Sequence, residues 1–149
     1  MQITSYTDYA LRVLIYLAML PNRQATITEI ADFYNISRNH LVKVVHQLGS
    51  KGFVKTTRGK GGGLSLQRPP EMIRIGEVVR SMESHFYWVE CFDPAQQHCR
   101  LLPNCGLKQL LGRAGDAYLQ VLDAATLADV LLGTVAVQLP QKEESDNIK

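Results

Sequence analysis

Several things are missing from this 149-residue chain, and each absence narrows what it can be. No run of about 18 apolar residues occurs, so no segment is expected to cross a membrane as a helix. Arg12 interrupts the first apolar stretch and no small-residue cleavage site follows a basic start, so a secretory signal is not expected and the chain is expected to be cytoplasmic. Cysteine is scarce: there are three, all in the second half. An odd number at short spacing argues against a disulfide framework and for reactive or metal-binding thiols. No C-x2-C pair is present, which removes the usual pattern of a structural zinc site. The glycine-rich stretch Gly59-Lys60-Gly61-Gly62-Gly63 lacks the order of a phosphate loop, and the dinucleotide fingerprint fails at Leu64. No substrate-pocket motif or nucleophile-base arrangement is found, so the chain is not expected to be an enzyme.

Acidic residues are also missing from one long stretch. Between Arg38 and Arg68 lie seven Lys or Arg, counting both ends, and no Asp or Glu. The net charge of +2 hides a division: residues 1–70 carry nine basic and three acidic side chains, whereas residues 71–149 carry seven and eleven. A solvated helix face usually mixes its signs, so the first half is expected to face a polyanion.

Apolar periodicity supplies the elements that present this charge. Ala10, Val13, Leu14, Leu17 and Ala18 predict a helix from about Ser5 to Leu20, stopped by Pro21. Thr26 with Glu29 resembles a capping box for a short second helix striped by Ile27, Ile30, Ala31 and Tyr34, with Asn35 making the turn. Ser37 is a candidate cap for a third helix, in which Leu41, Val44, Val45 and Leu48 face inward. Arg38, Asn39, Lys43, His46 and Gln47 are left outside. Beyond Gly49 and Gly52, Phe53 to Arg58 and Leu64 to Leu66 read as two strands around the glycine-rich turn.

Helix, helix, turn, helix and basic hairpin predict a winged helix-turn-helix over residues 1–70, a mainly α unit with a small β-hairpin wing. Double-stranded DNA is the expected partner. Ser37, Arg38, Asn39, His40 and Lys43 stand at or near the start of the third helix, where Arg38 and Asn39 can make paired hydrogen bonds to base edges. Arg58 and Lys60 at the hairpin tip are candidates for phosphate or minor-groove contact.

Past Pro69-Pro70 the character changes. A helix from about Ile75 to Ser84 is expected to pack back on the winged unit. After Cys105, Leu107, Leu110, Leu111, Ala114, Tyr118, Val121, Leu122 and Ala125 form one long stripe, which predicts a helix that crosses its twin in a homodimer, Gly112 and Gly115 allowing close approach. Thr126 is a candidate cap for a last short helix ending near Leu132. Residues 71–132 are thus expected to hold the cysteines and the dimer contacts, and residues 133–149 to form a flexible polar tail, most clearly from Pro140 onward.

Between the two helices lies a segment from His85 to Cys105 with the spacing Cys91-x7-Cys99-x5-Cys105. Loops of that length are held by something other than a core or serve a function. Spacing alone leaves open an iron-sulfur cluster, a thiol-disulfide switch and a trio of free thiols.

The motifs Thr7-Asp8-Tyr9-Ala10-Leu11-Arg12, Ile36-Ser37-Arg38-Asn39-His40-Leu41-Val42-Lys43, Arg58-Gly59-Lys60-Gly61-Gly62-Gly63-Leu64 and the cysteine trio followed by Leu107-Lys108-Gln109 resemble the Rrf-type family of winged-helix repressors. Within it the resemblance is nearest to the NsrR-type, nitric-oxide-sensitive branch, and covers roughly residues 1–132. It implies a homodimer on a palindromic operator that carries an iron-sulfur cluster, [4Fe-4S] or alternatively [2Fe-2S], and loses DNA when nitric oxide attacks it; iron or redox state is the alternative signal. The IscR-type branch has a histidine three residues after the last cysteine, where Lys108 stands here. The resemblance implies Cys91, Cys99 and Cys105 as ligands and points to Asp8 as the fourth. The same Asp8 lies four residues before Arg12, as an intrahelical ion pair requires, and both roles fit. Asp93, His98, His85 and Glu90 are further candidates by nearness alone.

Overall fold

The computed structural model describes residues 3–133; the tail expected from Pro140 lies outside them. Helix α1 runs Ser5–Ala18, capped by the Thr4 hydroxyl, which accepts from the Thr7 amide at 3.3 Å. It ends two residues before the expected Leu20, because the Leu20 amide turns back to Leu17 before Pro21. Helix α2 spans Ile27–Tyr34 and ends on Asn35 in the left-handed region, φ 51°. Thr26 caps it, but Glu29 does not complete the box. Its carboxylate instead accepts from the Tyr16 hydroxyl at 2.8 Å and from Arg23 at 2.6 Å, which joins α2 to α1.

Helix α3, Arg38–Ser50, buries Leu41, Val44, Val45 and Leu48 as its period requires. Two expectations on it are corrected. Ser37 makes no side-chain cap bond, and Gln47 is half-buried rather than outside, donating to the Ser81 carbonyl at 3.0 Å. The wing is an antiparallel hairpin of β1, Val54–Thr57, and β2, Gly63–Leu66, with Val54 opposite Leu66 and Thr57 opposite Gly63. Phe53 and Arg58 fall just outside β1. Gly59 and Gly61 sit at φ 103° and 83°, values that side chains other than glycine rarely adopt, and this is why the tip is glycine-rich.

One hydrophobic core runs through both halves of the chain. Val13, Leu14, Ile30, Leu41, Leu48 and Phe53 share it with Ile73, Val78, Val79 and Leu127. Helix α4, Ile75–Met82, stops short of the expected Ser84 because Glu83 is extended. Helix α5, Gly106–Ala124, and helix α6, Leu127–Leu132, follow, the latter with a complete Thr126–Asp129 capping box. The chain is strapped where α5 ends: the Leu127 amide donates to the Ile73 carbonyl at 2.8 Å, and the Ile75 amide to Ala125 at 3.0 Å. Arg80 of α4 grips the Asp123 carboxylate of α5 with Nη2–Oδ2 at 2.6 Å, and Arg74 donates to the Asp123 carbonyl at 2.8 Å.

The segment between α4 and α5 contains two short 3-10 turns, Glu90–Phe92 and Pro94–Gln96. It is seated on α5 by aromatic rings. Trp88 meets Tyr118 edge to face at 5.9 Å and lies so close to Gly115 that a Cβ there would stand 2.9 Å from the indole nitrogen. Phe92 is the nearest neighbour of Gly112, and the Lys108 ammonium stands 5.8 Å from its ring centre. The two glycines expected to admit a twin helix therefore face the chain's own loop.

A methyl group at Gly115 must displace the Trp88 ring, so Gly115→Ala is expected to lose about 1–3 kcal/mol in urea unfolding and to red-shift the emission of the one tryptophan. An unshifted emission with unchanged stability would show that the ring does not depend on this contact. Burial and the bond to Glu29 push the Tyr16 hydroxyl from 10.0 up to about 12. A group that keeps its proton longer when folded favours the fold below its unfolded value and loses that advantage as pH rises through the folded one. Urea midpoints are therefore expected to fall between pH 10 and 12, and less steeply in Tyr16→Phe.

Candidate cysteine site and nucleic-acid interface

Ser37, Arg38, Asn39, His40 and Lys43 are all exposed at the start of α3, and Arg38 and Lys43 form no salt bridge among the described residues. Helix α1 supports this edge from behind. The Tyr6 hydroxyl donates to the Lys43 carbonyl at 2.8 Å, and the Tyr9 ring stacks on His40 at 6.4 Å. Arg58 and Lys60 are exposed on either side of Gly59 at the wing tip. Arg68, the last member of the acid-free run, has a different task. It is half-buried over the Phe53 ring at 4.8 Å and pairs with Glu77 at 3.0 Å, holding the base of the wing to α4. The expected contact residues are thus all exposed, while Arg68 is structural.

The three cysteines are free and line one cavity of about 710 Å³ together with Val89, Leu101, Leu107, Lys108 and Leu111. Cys91 lies in the first 3-10 turn and Cys105 is the residue that caps α5; both are half-buried, and Cys99 is exposed. Among the described residues no three His, Cys, Asp or Glu side chains are grouped tightly enough to hold a single metal ion. Thiolates of a polynuclear cluster bind different irons and stand further apart, so the donor set, the apolar walls and the room fit a cluster better than one ion.

The fourth-ligand candidates are divided by the fold. Asp8 does not line this cavity; its carboxylate takes Arg12 Nη2 at 2.8 Å and Nε at 3.0 Å. Arg12 in turn lies 6.0 Å from the Tyr9 ring and 5.8 Å from Tyr34. Glu90 and His98 do line the cavity. Asp93 caps the second 3-10 turn, and His85 stacks on Tyr87 away from the cysteines. Within one chain the residues brought together are the three cysteines, with Asp8 separate.

The predicted stripe of α5 splits in two. Leu111 lines the cavity, Tyr118 meets Trp88, and Leu122 and Ala125 pack on the core. Leu110, Ala114 and Val121 form the other row, joined by Ala117, which was not in the predicted stripe; all four are exposed, with Leu110 at 54% and Val121 at 70%. The sequence reading missed Tyr6, Trp88 and Phe92 as positioning residues. Only the aromatic character of a polar loop could have signalled the last two. Among the described residues no helix is long and apolar enough to cross a membrane.

Known proteins resemble this chain along nearly all of the described length. The profile of the Rrf2 family, described as "Iron-dependent Transcriptional regulator", matches residues 3–132. The HTH-type transcriptional regulator NsrR of Bacillus licheniformis is 52% identical over 133 residues, covering 89% of this chain and 93% of the relative. That of Bacillus subtilis is 52% identical over 132 residues, covering 88% and 90%. The solved structure of CymR (YrzC), the global cysteine regulator of B. subtilis, superimposes with a TM-score of 0.71 at 29% identity, covering 91% of this chain and 99% of that one. With a winged helix-turn-helix, an exposed basic recognition edge and a match spanning both halves, the chain belongs to the Rrf2 family of transcriptional regulators.

Proposed function

We propose that this protein is a cytoplasmic, homodimeric repressor that binds a palindromic operator while an iron-sulfur cluster is held by Cys91, Cys99 and Cys105, and that nitric oxide is the signal that releases it. The observation that carries this reading is the convergence of all three thiols on one apolar-walled cavity at the start of α5. Its support is the 52% identity to regulators named NsrR. The cluster is [4Fe-4S] in this reading, with [2Fe-2S] as the alternative. Such a cluster, when bound, supplies an iron that a small diatomic molecule can reach.

The chain's own residues do the rest. Arg38 and Asn39 read base edges from the exposed start of α3, flanked by Ser37, His40 and Lys43, while Arg58 and Lys60 hold phosphates from the wing. The exposed row Leu110, Ala114, Ala117 and Val121 is the contact for a second copy, which sets the two recognition helices about one DNA turn, roughly 34 Å, apart. Residues 1–70 then carry the DNA contacts and residues 71–132 the cluster and dimer contacts. Asp8 serves as fourth ligand from a second copy, a role that requires it to leave Arg12. The exposed, unpaired Cys99 favours one other reading, a metal-free thiol switch.

Anaerobically purified protein is expected to be brown, to bleach with nitric oxide and to lose operator binding in the same sample. Cys91→Ser, Cys99→Ser and Cys105→Ser should each be colourless. A colourless wild type that responds to peroxide would replace the cluster with the thiol switch. Asp8→Ala with unchanged absorbance and nitric-oxide response would remove Asp8 from the ligand set. Arg38→Ala is expected to cost about 1–3 kcal/mol of operator affinity and to relax the preference at one base pair, whereas Lys60→Ala should weaken all sequences alike and flatten the salt dependence by about one unit of slope. A shift assay titrated with salt distinguishes the two.

A further inference from the structure

A second, smaller cavity of about 210 Å³ lies where the start of α1 meets the chain leaving α4, and none of its lining residues belongs to the cysteine cavity. Its walls are aromatic: Phe86, Tyr87, Trp88 and Tyr118, with His85 stacked on Tyr87 at 4.7 Å. Its one acidic group is Glu83, which is half-buried. The Glu83 Oε1 atom accepts from the amide and the hydroxyl of Thr4, each at 2.9 Å. Both donors are neutral, and Glu83 forms no ion pair among the described residues.

The geometry points to this cavity as a binding site for a small organic ammonium ion, held between the Glu83 carboxylate and the surrounding rings. A carboxylate in partly desolvated surroundings is stabilised by an opposite charge, and aromatic faces attract a cation whose own hydration is weak. Other ligand classes fit less well. An anion would meet Glu83, a neutral apolar molecule would leave the charge unmatched, and a hard metal ion needs more oxygen donors than one carboxylate. The volume excludes a nucleotide and admits a nitrogen carrying a few carbons. Ionisation of Glu83 is favoured as well: burial pushes its carboxyl up, but the bonds from Thr7 and Thr4, with a lesser attraction to His85 in the same wall, outweigh this and hold it below the usual range. Burial and the Glu83 charge keep Tyr118 in its phenol form.

The position gives occupancy a structural effect. Thr4 caps α1, Glu83 ends α4, Tyr118 belongs to α5, and Trp88 seats the cysteine segment on α5. A bound cation would tie all four together.

Trp88 is the only tryptophan and lines this cavity, so its fluorescence is a reporter placed at the site. The test is a titration of the full-length protein with choline at constant ionic strength, beside its neutral isostere 3,3-dimethyl-1-butanol, with calorimetry on the same samples. A saturable change with choline, at least about tenfold weaker with the alcohol, is expected. Glu83→Gln keeps an acceptor for Thr4 and removes only the charge, and is expected to weaken choline about tenfold. Tyr87→Ala, which removes an exposed ring, should weaken it too and serves if the first variant does not fold. Equal binding of the alcohol, a response that never saturates, or wild-type affinity in both variants overturns the proposal. So does a Trp88 signal that follows protein concentration instead of choline, which would place a side chain of a second copy in the cavity.

Discussion

Everything on the cysteine side of the molecule hangs on two main-chain hydrogen bonds, those between Leu127 and Ile73 and between Ile75 and Ala125. They fix the end of α5 against the start of α4, and the buried Leu127 side chain anchors the joint in the core of the winged unit. The Arg80–Asp123 pair beside them is half-exposed and adds orientation more than stability. Helix α5 has 19 residues and so is about 28 Å long. Its far end is clamped to the DNA-binding core, and its near end packs on Trp88, Phe92 and the cysteine segment.

The basic face arises by subtraction. Arg12, Arg23, Arg68 and Arg80 are each engaged by an acid from their own or a neighbouring element: Asp8, Glu29, Glu77 and Asp123. On α3, at its C-terminal end and on the wing, Arg38, Lys43, Lys51, Lys55, Arg58 and Lys60 have no such partner among the described residues. No acid lies on α3 or the wing, so the charges there are of one sign. Long-range attraction of a polyanion follows from that imbalance rather than from a large net charge.

Most of the scaffold was legible because it depends on local periodicity. The inward faces of α1, α2 and α3, the hairpin around the glycines and the Thr126 cap were all read from neighbours three or four residues apart. What failed depended on partners distant in sequence. Glu29 had the right spacing for a capping box, but Tyr16 and Arg23 offered it better donors. Gln47 looked like a surface residue until Ser81 came within reach. Gly115 looked like a helix-crossing site, and only the fold shows that Trp88 fills the space. The cysteine trio was visible as a cluster in sequence, and the shared cavity follows from its short spacing. The place of Asp8 was not, since its partner in one chain is Arg12 and any other must come from outside that chain.

Cys105 is at once a wall of the cysteine cavity and the residue on which α5 begins. Its side chain makes no cap bond, so the first amides of the helix have no side-chain acceptor of the usual kind. A bond made to the Cys105 sulfur would therefore act directly on the residue at which α5 begins, whose carbonyl accepts from the Gln109 amide.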